Sequence, residues 1–241
     1  MRAGMGVAVW LVACALAASA AVAAPPMQIK FAEAVELPAA AGKAEFDAYG
    51  RRFALSLESN DRLLKAIPAA RKSEFDGARI LRGKLDGVAG SWVRLTRVGK
   101  GIEGAIWDGN DIYVVASYAS IAGKLTTPMV AAPDQTVVYR LSDTINGLPP
   151  EFCGLVGEGP ALLQYKSLVT ELRASAASTL SDQIDISLIA DTDFQTLMGS
   201  NATDAMLARL NVVDGIFSEQ VGVVIVPAEF RLMPANDDPF T

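Results

Sequence analysis

The sequence predicts an α+β protein: a β-rich antiparallel module followed by a single strand-helix-strand unit. Two observations predict it. From Met27 to about Leu141, apolar and polar residues alternate in short runs separated by Gly-containing turns, the pattern of an antiparallel meander. Further on, Met206, Leu207, Leu210, Val213, Ile216, Phe217 and Val221 recur at spacings of three and four between two β-type runs, the pattern of one amphipathic helix. The chain has 241 residues, 51% of them apolar and 20% charged, which is a globular composition. Its 21 basic and 27 acidic residues leave a net charge of -6, which argues against a nucleic-acid partner. There is no histidine, which excludes Ser-His-Asp and Cys-His catalysis and imidazole-based zinc binding by this sequence. No spacing among the acids picks out a glycosidase-type carboxylate pair.

Residues 1–23 read as a secretory signal peptide. Arg2 is followed by an apolar run through Leu16, then by Ala21-Val22-Ala23 with Pro25 and Pro26 beyond it. The run is too short and too poorly flanked for a stable membrane anchor. Leu11-Val12-Ala13-Cys14 also looks like a lipobox, with anchoring at Cys14. That reading fits less well, because the apolar stretch continues for ten residues past the cysteine. The expected location is secreted or periplasmic. Cleavage at Ala23 leaves one cysteine, Cys153, and no internal disulfide.

Residues 24–165 form the β-rich module. Phe46-Asp47-Ala48-Tyr49 leads through Gly50 into Phe53-Ala54-Leu55-Ser56-Leu57, and Asn60-Asp61 breaks that strand. Four strands follow: Ile80 to Leu85, Ser91 to Thr96, Ile102 to Trp107 and Ile112 to Val115. They are joined by Asp86-Gly87, Gly99-Lys100-Gly101 and Asp108-Gly109-Asn110-Asp111. Trp92 and Trp107 are expected in the core or on a sheet face. Cys153 alone would read as a small buried hydrophobe. Residues 166–181 read as a linker, with Ala174 to Thr179 as an exposed, cleavable stretch.

Residues 182–241 contain the strand-helix-strand unit. Ile184 to Asp191 is an alternating strand, Ser200 or Asn201 opens the helix as N-cap, Gly222 ends it, and Val223 to Val226 is a buried-type strand. A parallel pairing is expected. Asn201-Ala202-Thr203 also fits a glycosylation sequon, but capping is the preferred role. Asp191, Asp214 and Glu219 read as solvated or capping acids.

These blocks carry a resemblance. Phe46-Asp47-Ala48-Tyr49-Gly50-Arg51-Arg52-Phe53, Arg82-Gly83, Asp86-Gly87, Ser91-Trp92-Val93-Arg94-Leu95-Thr96 and Gly101-Ile102-Glu103-Gly104 with Ile106 resemble, in order and spacing, the propeptide of adamalysin-like (reprolysin, ADAM-type) zinc metalloproteases of the metzincin group. Ile189-Ala190-Asp191, Asn201-Ala202-Thr203, Leu210-Asn211-Val212-Val213-Asp214-Gly215-Ile216-Phe217 and Gly222-Val223 are similar to the opening of that family's catalytic domain. The resemblance implies that the last unit begins an α/β metzincin-type domain. It implies that Phe152-Cys153-Gly154 is a cysteine switch, with Cys153 as the inhibitory zinc ligand of the zymogen. A thiolate is a strong zinc ligand and can take the position that catalytic water needs. By register it also makes Asp185 a possible calcium ligand.

The family's catalysis requires H-E-x-x-H-x-x-G-x-x-H, which this sequence lacks, so zinc is expected only with that missing motif. The expected entity is therefore a truncated zymogen: signal, inhibitory propeptide and the first 60 or so residues of a catalytic domain, inactive alone. The partner would be its own or a cognate protease domain, with protein substrates reached only in a full-length form. The competing class is an exported, non-enzymatic β-module that binds or inhibits another protein. An isolated strand-helix-strand unit is expected to leave its sheet edge and its apolar helix face uncovered.

Overall fold

Alternation along the chain sorts side chains onto two sheet faces, and the computed structural model shows where those faces go. It describes residues 27–38, 40–75, 79–146 and 182–234. Residues 1–23, Cys14, Cys153 and the linker lie outside the described residues. The elements in order are β1 (Met27–Ile29), β2 (Glu33–Ala34), β3 (Gly42–Ala48), β4 (Arg51–Ser59), α1 (Asp61–Ala66), β5 (Ile80–Leu85), β6 (Trp92–Val98), β7 (Gly101–Trp107), β8 (Ile112–Ser117), α2 (Tyr118–Ile121), β9 (Thr136–Arg140) and β10 (Thr144–Asn146). Then come β11 (Asp182–Ala190), α3 (Thr192–Met198), α4 (Ala202–Ile216) and β12 (Val223–Leu232). The architecture is mixed, with mostly antiparallel strands, as the alternation predicts. No helix among the described residues is long and apolar enough to cross a membrane.

Eight strands form one antiparallel sheet in the order β2-β9-β8-β7-β6-β5-β4-β3. The sheet is strongly curled. β4 and β8 stand four positions apart, about 19 Å in a flat sheet at ordinary strand spacing. Yet the rings of Phe53 on β4 and Tyr113 on β8 lie 4.9 Å apart, and Phe46 stacks on Phe53 at 4.7 Å. The inner face closes on a core that includes Leu55, Leu57, Leu85, Val93, Leu95, Ile106 and Val138. Curling forces close strand approach, and glycine permits it. A Cβ on Gly104 would stand 2.0 Å from the Arg94 carbonyl oxygen, and one on Gly83 would stand 2.1 Å from that of Ser56.

The β3–β4 hairpin turns on Tyr49-Gly50, flanked by the Ala48–Arg51 pair. Both turn residues have positive φ, 55° and 67°, as a two-residue primed turn requires. The conformation is costly for a tyrosine. It is held because the Tyr49 amide donates to Glu33 Oε1 at 2.9 Å and its hydroxyl accepts from the Arg140 amide at 3.0 Å. These contacts tie the turn to β2 and β9, at the far edge of the curled sheet.

β11 and β12 pair in parallel, as the strand-helix-strand pattern predicts, with a register shift after Ile186 opposite Pro227. β12 runs to Leu232, well past the Val223 to Val226 core read from sequence. α4 continues through a π-helical turn, Phe217–Val221, to Gly222, whose φ of 80° ends it. Asn201 sits at the N-cap without a side-chain capping bond. α3 is an addition to the sequence reading: the Asp191 side chain caps it by accepting from the Phe194 amide at 2.7 Å. The Asp191-x-x-Phe194 spacing carried that signal.

The expectation of an uncovered helix face is corrected. α4 packs on the outer face of β5, β6 and β7. Leu207 and Leu210 meet Ile80, Leu63, Phe75 and Phe230 in a second core. Trp92 and Trp107 are buried on the same outer face, as expected, beside Val212 and Ile216.

Gly104→Ala is expected to lower the stability of the chain by about 1–3 kcal/mol, because neither the Arg94 carbonyl nor its strand can yield. A reduced urea midpoint would show it; an unchanged midpoint would mean that the curl is not tight at β6–β7. Burial pushes the Tyr49 and Tyr139 phenols up to about 12, with the Glu103 charge adding to the effect at Tyr139. Their protons are thus held more tightly in the folded state. That stability is fully present below the ordinary tyrosine pKa of about 10 and is lost as pH rises toward 12. Absorbance titration should show late-ionising phenols that appear together with unfolding.

Candidate functional site

β6 is buried on both faces, and its outward residues are Trp92, Arg94 and Thr96. An arginine at such a position needs a counter-charge. α4 supplies it. Asn211, Asp214 and Gly215 stand at i, i+3 and i+4, one stripe of the helix, and that stripe faces β6. Arg94 is 1% exposed and Asp214 is 0% exposed.

Each polar atom of the stripe is answered. Asp214 Oδ2 accepts from Arg94 Nε at 3.3 Å and from Asn60 Nδ2 at 3.2 Å, while Oδ1 accepts from Arg62. Arg94 also donates to Ser218 Oγ and Glu219 Oε1, each at 3.1 Å, and to the Val93 carbonyl at 3.1 Å. Asn211 accepts from Asn60 Nδ2 at 2.9 Å. It donates to the carbonyls of Leu81 and Leu95 at 3.2 and 3.1 Å and to Thr96 Oγ1 at 3.1 Å. Two guanidiniums and two carboxylates balance, with Arg94 and Asp214 in the dry interior and Arg62 and Glu219 reaching toward solvent on either side of them. Asn60, at the end of β4, bridges Asn211 to Asp214 because the chain turns there into α1. Gly215 leaves the space that Arg94 and Trp92 occupy. A Cβ there would meet Arg94 Cγ at 2.6 Å and the Trp92 ring at 3.1 Å.

Nearby, Arg209 of α4 stands 3.5 Å from Glu103 of β7. Burial pushes the Glu103 carboxyl up, and the Arg209 and Lys124 charges oppose the shift. Beside the network, a groove of about 570 Å³ is lined by Lys43, Ser56, Arg82, Lys84, Arg94 and Glu219. Three of its four cations are engaged: Arg94 in the network, Lys43 with Asp86 at 2.7 Å and Arg82 with Glu58 at 2.8 Å. The arrangement holds two parts of the chain together and presents no nucleophile–base pair.

The sequence reading of Asp214 as a solvated or capping acid is corrected: it is fully buried and doubly ion-paired. Glu219, about half exposed, reaches Arg94, and Asp191 caps α3 as read. Asp185 is exposed and accepts from Gln183 Nε2 at 2.6 Å, apart from this network. Among the described residues no cluster of three or more Cys, Asp or Glu side chains gathers as a metal site. Cys153 lies outside the described residues. Asn60, Arg62 and Arg94 were not singled out from sequence. The signal was the Trp92-x-Arg94-x-Thr96 alternation opposite Val93 and Leu95, with a charge placed between two apolar neighbours in mid-strand. No family model matches the chain, and no characterised protein matches it.

Asp214→Ala should cost about 3–5 kcal/mol, since it leaves the Arg94 charge buried and underpaired. Asp185→Ala should change stability by less than about 0.5 kcal/mol. Chemical denaturation of both variants checks the contrast; equal effects would mean that the buried network contributes nothing special.

Proposed function

We propose that this chain is the N-terminal portion of a secreted zinc metalloendopeptidase zymogen. In this reading the curled β-module is the inhibitory propeptide, Cys153 is the thiol that blocks the protease metal, and β11-α4-β12 opens the metzincin-type catalytic domain. The observation that carries the reading is the half-covered parallel pair. Parallel sheets are ordinarily covered on both faces and extended on both sides. Here, among the described residues, β11 and β12 pair only with each other, and Ile184, Ile189 and Leu232 are 42%, 51% and 38% exposed. Such a pair reads as the start of a larger α/β sheet.

The sequence has no histidine, and among the described residues no zinc donor set forms. Cys153 offers one thiolate to a metal whose other ligands would come from the H-E-x-x-H-x-x-G-x-x-H segment. Asp185 is a single exposed carboxylate, far short of the six to eight oxygens that calcium takes. It would need ligands from further catalytic-domain residues. A second reading, an exported β-module that binds or inhibits another protein, draws on the eight-stranded sheet closing a core of its own.

The purified chain should hydrolyse no peptide but inhibit a reprolysin-type zinc protease, and Cys153→Ser should weaken that inhibition by about tenfold or more. Inhibition untouched by the substitution would sink the switch and favour the second reading.

A further inference from the structure

We infer that the outer face of β6 is a recognition socket for a helix bearing Asn-x-x-Asp-Gly, and that it keeps the β-module and the strand-helix-strand unit together after the chain between them is cut. The inference goes beyond the zymogen reading and needs neither zinc nor Cys153.

Three positions of α4 are read, each by a different physical filter. Asp214 is read by charge, because its fully buried carboxylate meets the buried Arg94 and the partly exposed Arg62. Asn211 is read by hydrogen-bond polarity. Its oxygen takes the Asn60 amide, while its nitrogen serves two strand carbonyls and the Thr96 hydroxyl. A carboxylate or an aliphatic side chain there would leave buried groups unmatched. Gly215 is read by volume, since any side chain meets the Arg94 stem at 2.6 Å.

The filters are coupled through Arg94. Pushing its stem aside to admit a Cβ withdraws its guanidinium from Asp214, Ser218 and Glu219 together. Apolar contact around the stripe supplies adhesion, through Leu207 and Leu210 against Leu63, Ile80 and Phe75. The polar centre supplies register and choice of partner, as buried polar groups do in helix pairing. The occupant fitted to this surface is therefore an amphipathic helix with Asn, Asp and Gly at i, i+3 and i+4, which this chain provides for itself. Because the pairing is buried, it should resist salt.

The test replaces Ala174 to Thr179 with a specific protease site, cuts the purified full chain there, and follows the two pieces by gel filtration. The wild-type pieces should co-elute, also in about 1 M NaCl. Gly215→Ala and Asp214→Asn should each raise the dissociation constant of the nicked complex about tenfold or more. Each variant is first shown by circular dichroism to fold before cutting. If one does not fold, Arg62→Gln, at the partly exposed end of the network, takes its place with the same expectation in smaller degree. Separation of the wild-type pieces on cutting overturns the inference. So does retention of a folded variant as tight as wild type. Neither outcome bears on inhibition through Cys153, so failure here is distinguishable from failure of the zymogen reading.

Discussion

The buried pairing of Arg94 with Asp214 is the constraint around which the two parts of this protein are arranged. A guanidinium in the middle of a strand buried on both faces is untenable unless a carboxylate arrives from outside the sheet. α4 brings that carboxylate, and with it Asn211 and Gly215. The helix is thereby set in one register on β5, β6 and β7, and the parallel pair β11–β12 follows from where the helix lies. Hydrophobic contact alone would have tolerated other registers, because Leu and Ile contacts are not directional.

On the other side of the same strand, the sheet solves a different problem. Curling brings Phe53 against Tyr113 and carries the β3–β4 turn to the β2–β9 edge, where Tyr49 is held in an uncommon backbone conformation. Gly83 and Gly104 make the curl possible by removing the Cβ atoms that would strike neighbouring carbonyls. β6 therefore mediates between the inner apolar core and the polar junction with α4. A disturbance on either face is felt on the other.

This arrangement suits a module whose role is to hold another unit. The helix is gripped on one side, while the parallel strands beyond it still present apolar side chains. A propeptide that steadies the first elements of a catalytic domain would need such a one-sided grip. The sequence contains no histidine, so these residues supply no imidazole base or imidazole metal ligand.

The four-strand meander from Ile80 to Val115, the parallel pairing of β11 with β12 and the stop at Gly222 were all legible in the sequence. They depend on period-two alternation, on turn glycines and on three-and-four spacing, which are local properties. The short capped helix at Asp191 was equally local. What the sequence did not disclose was the partnership of Asn60, Arg62 and Arg94 with Asn211 and Asp214, residues up to 154 positions apart. Charge type and spacing say that Asp214 is an acid on a helix; they do not say whether water or an arginine will face it. Only the docking of that helix on a curled sheet decided this, because burial is a property of the folded whole and not of any segment.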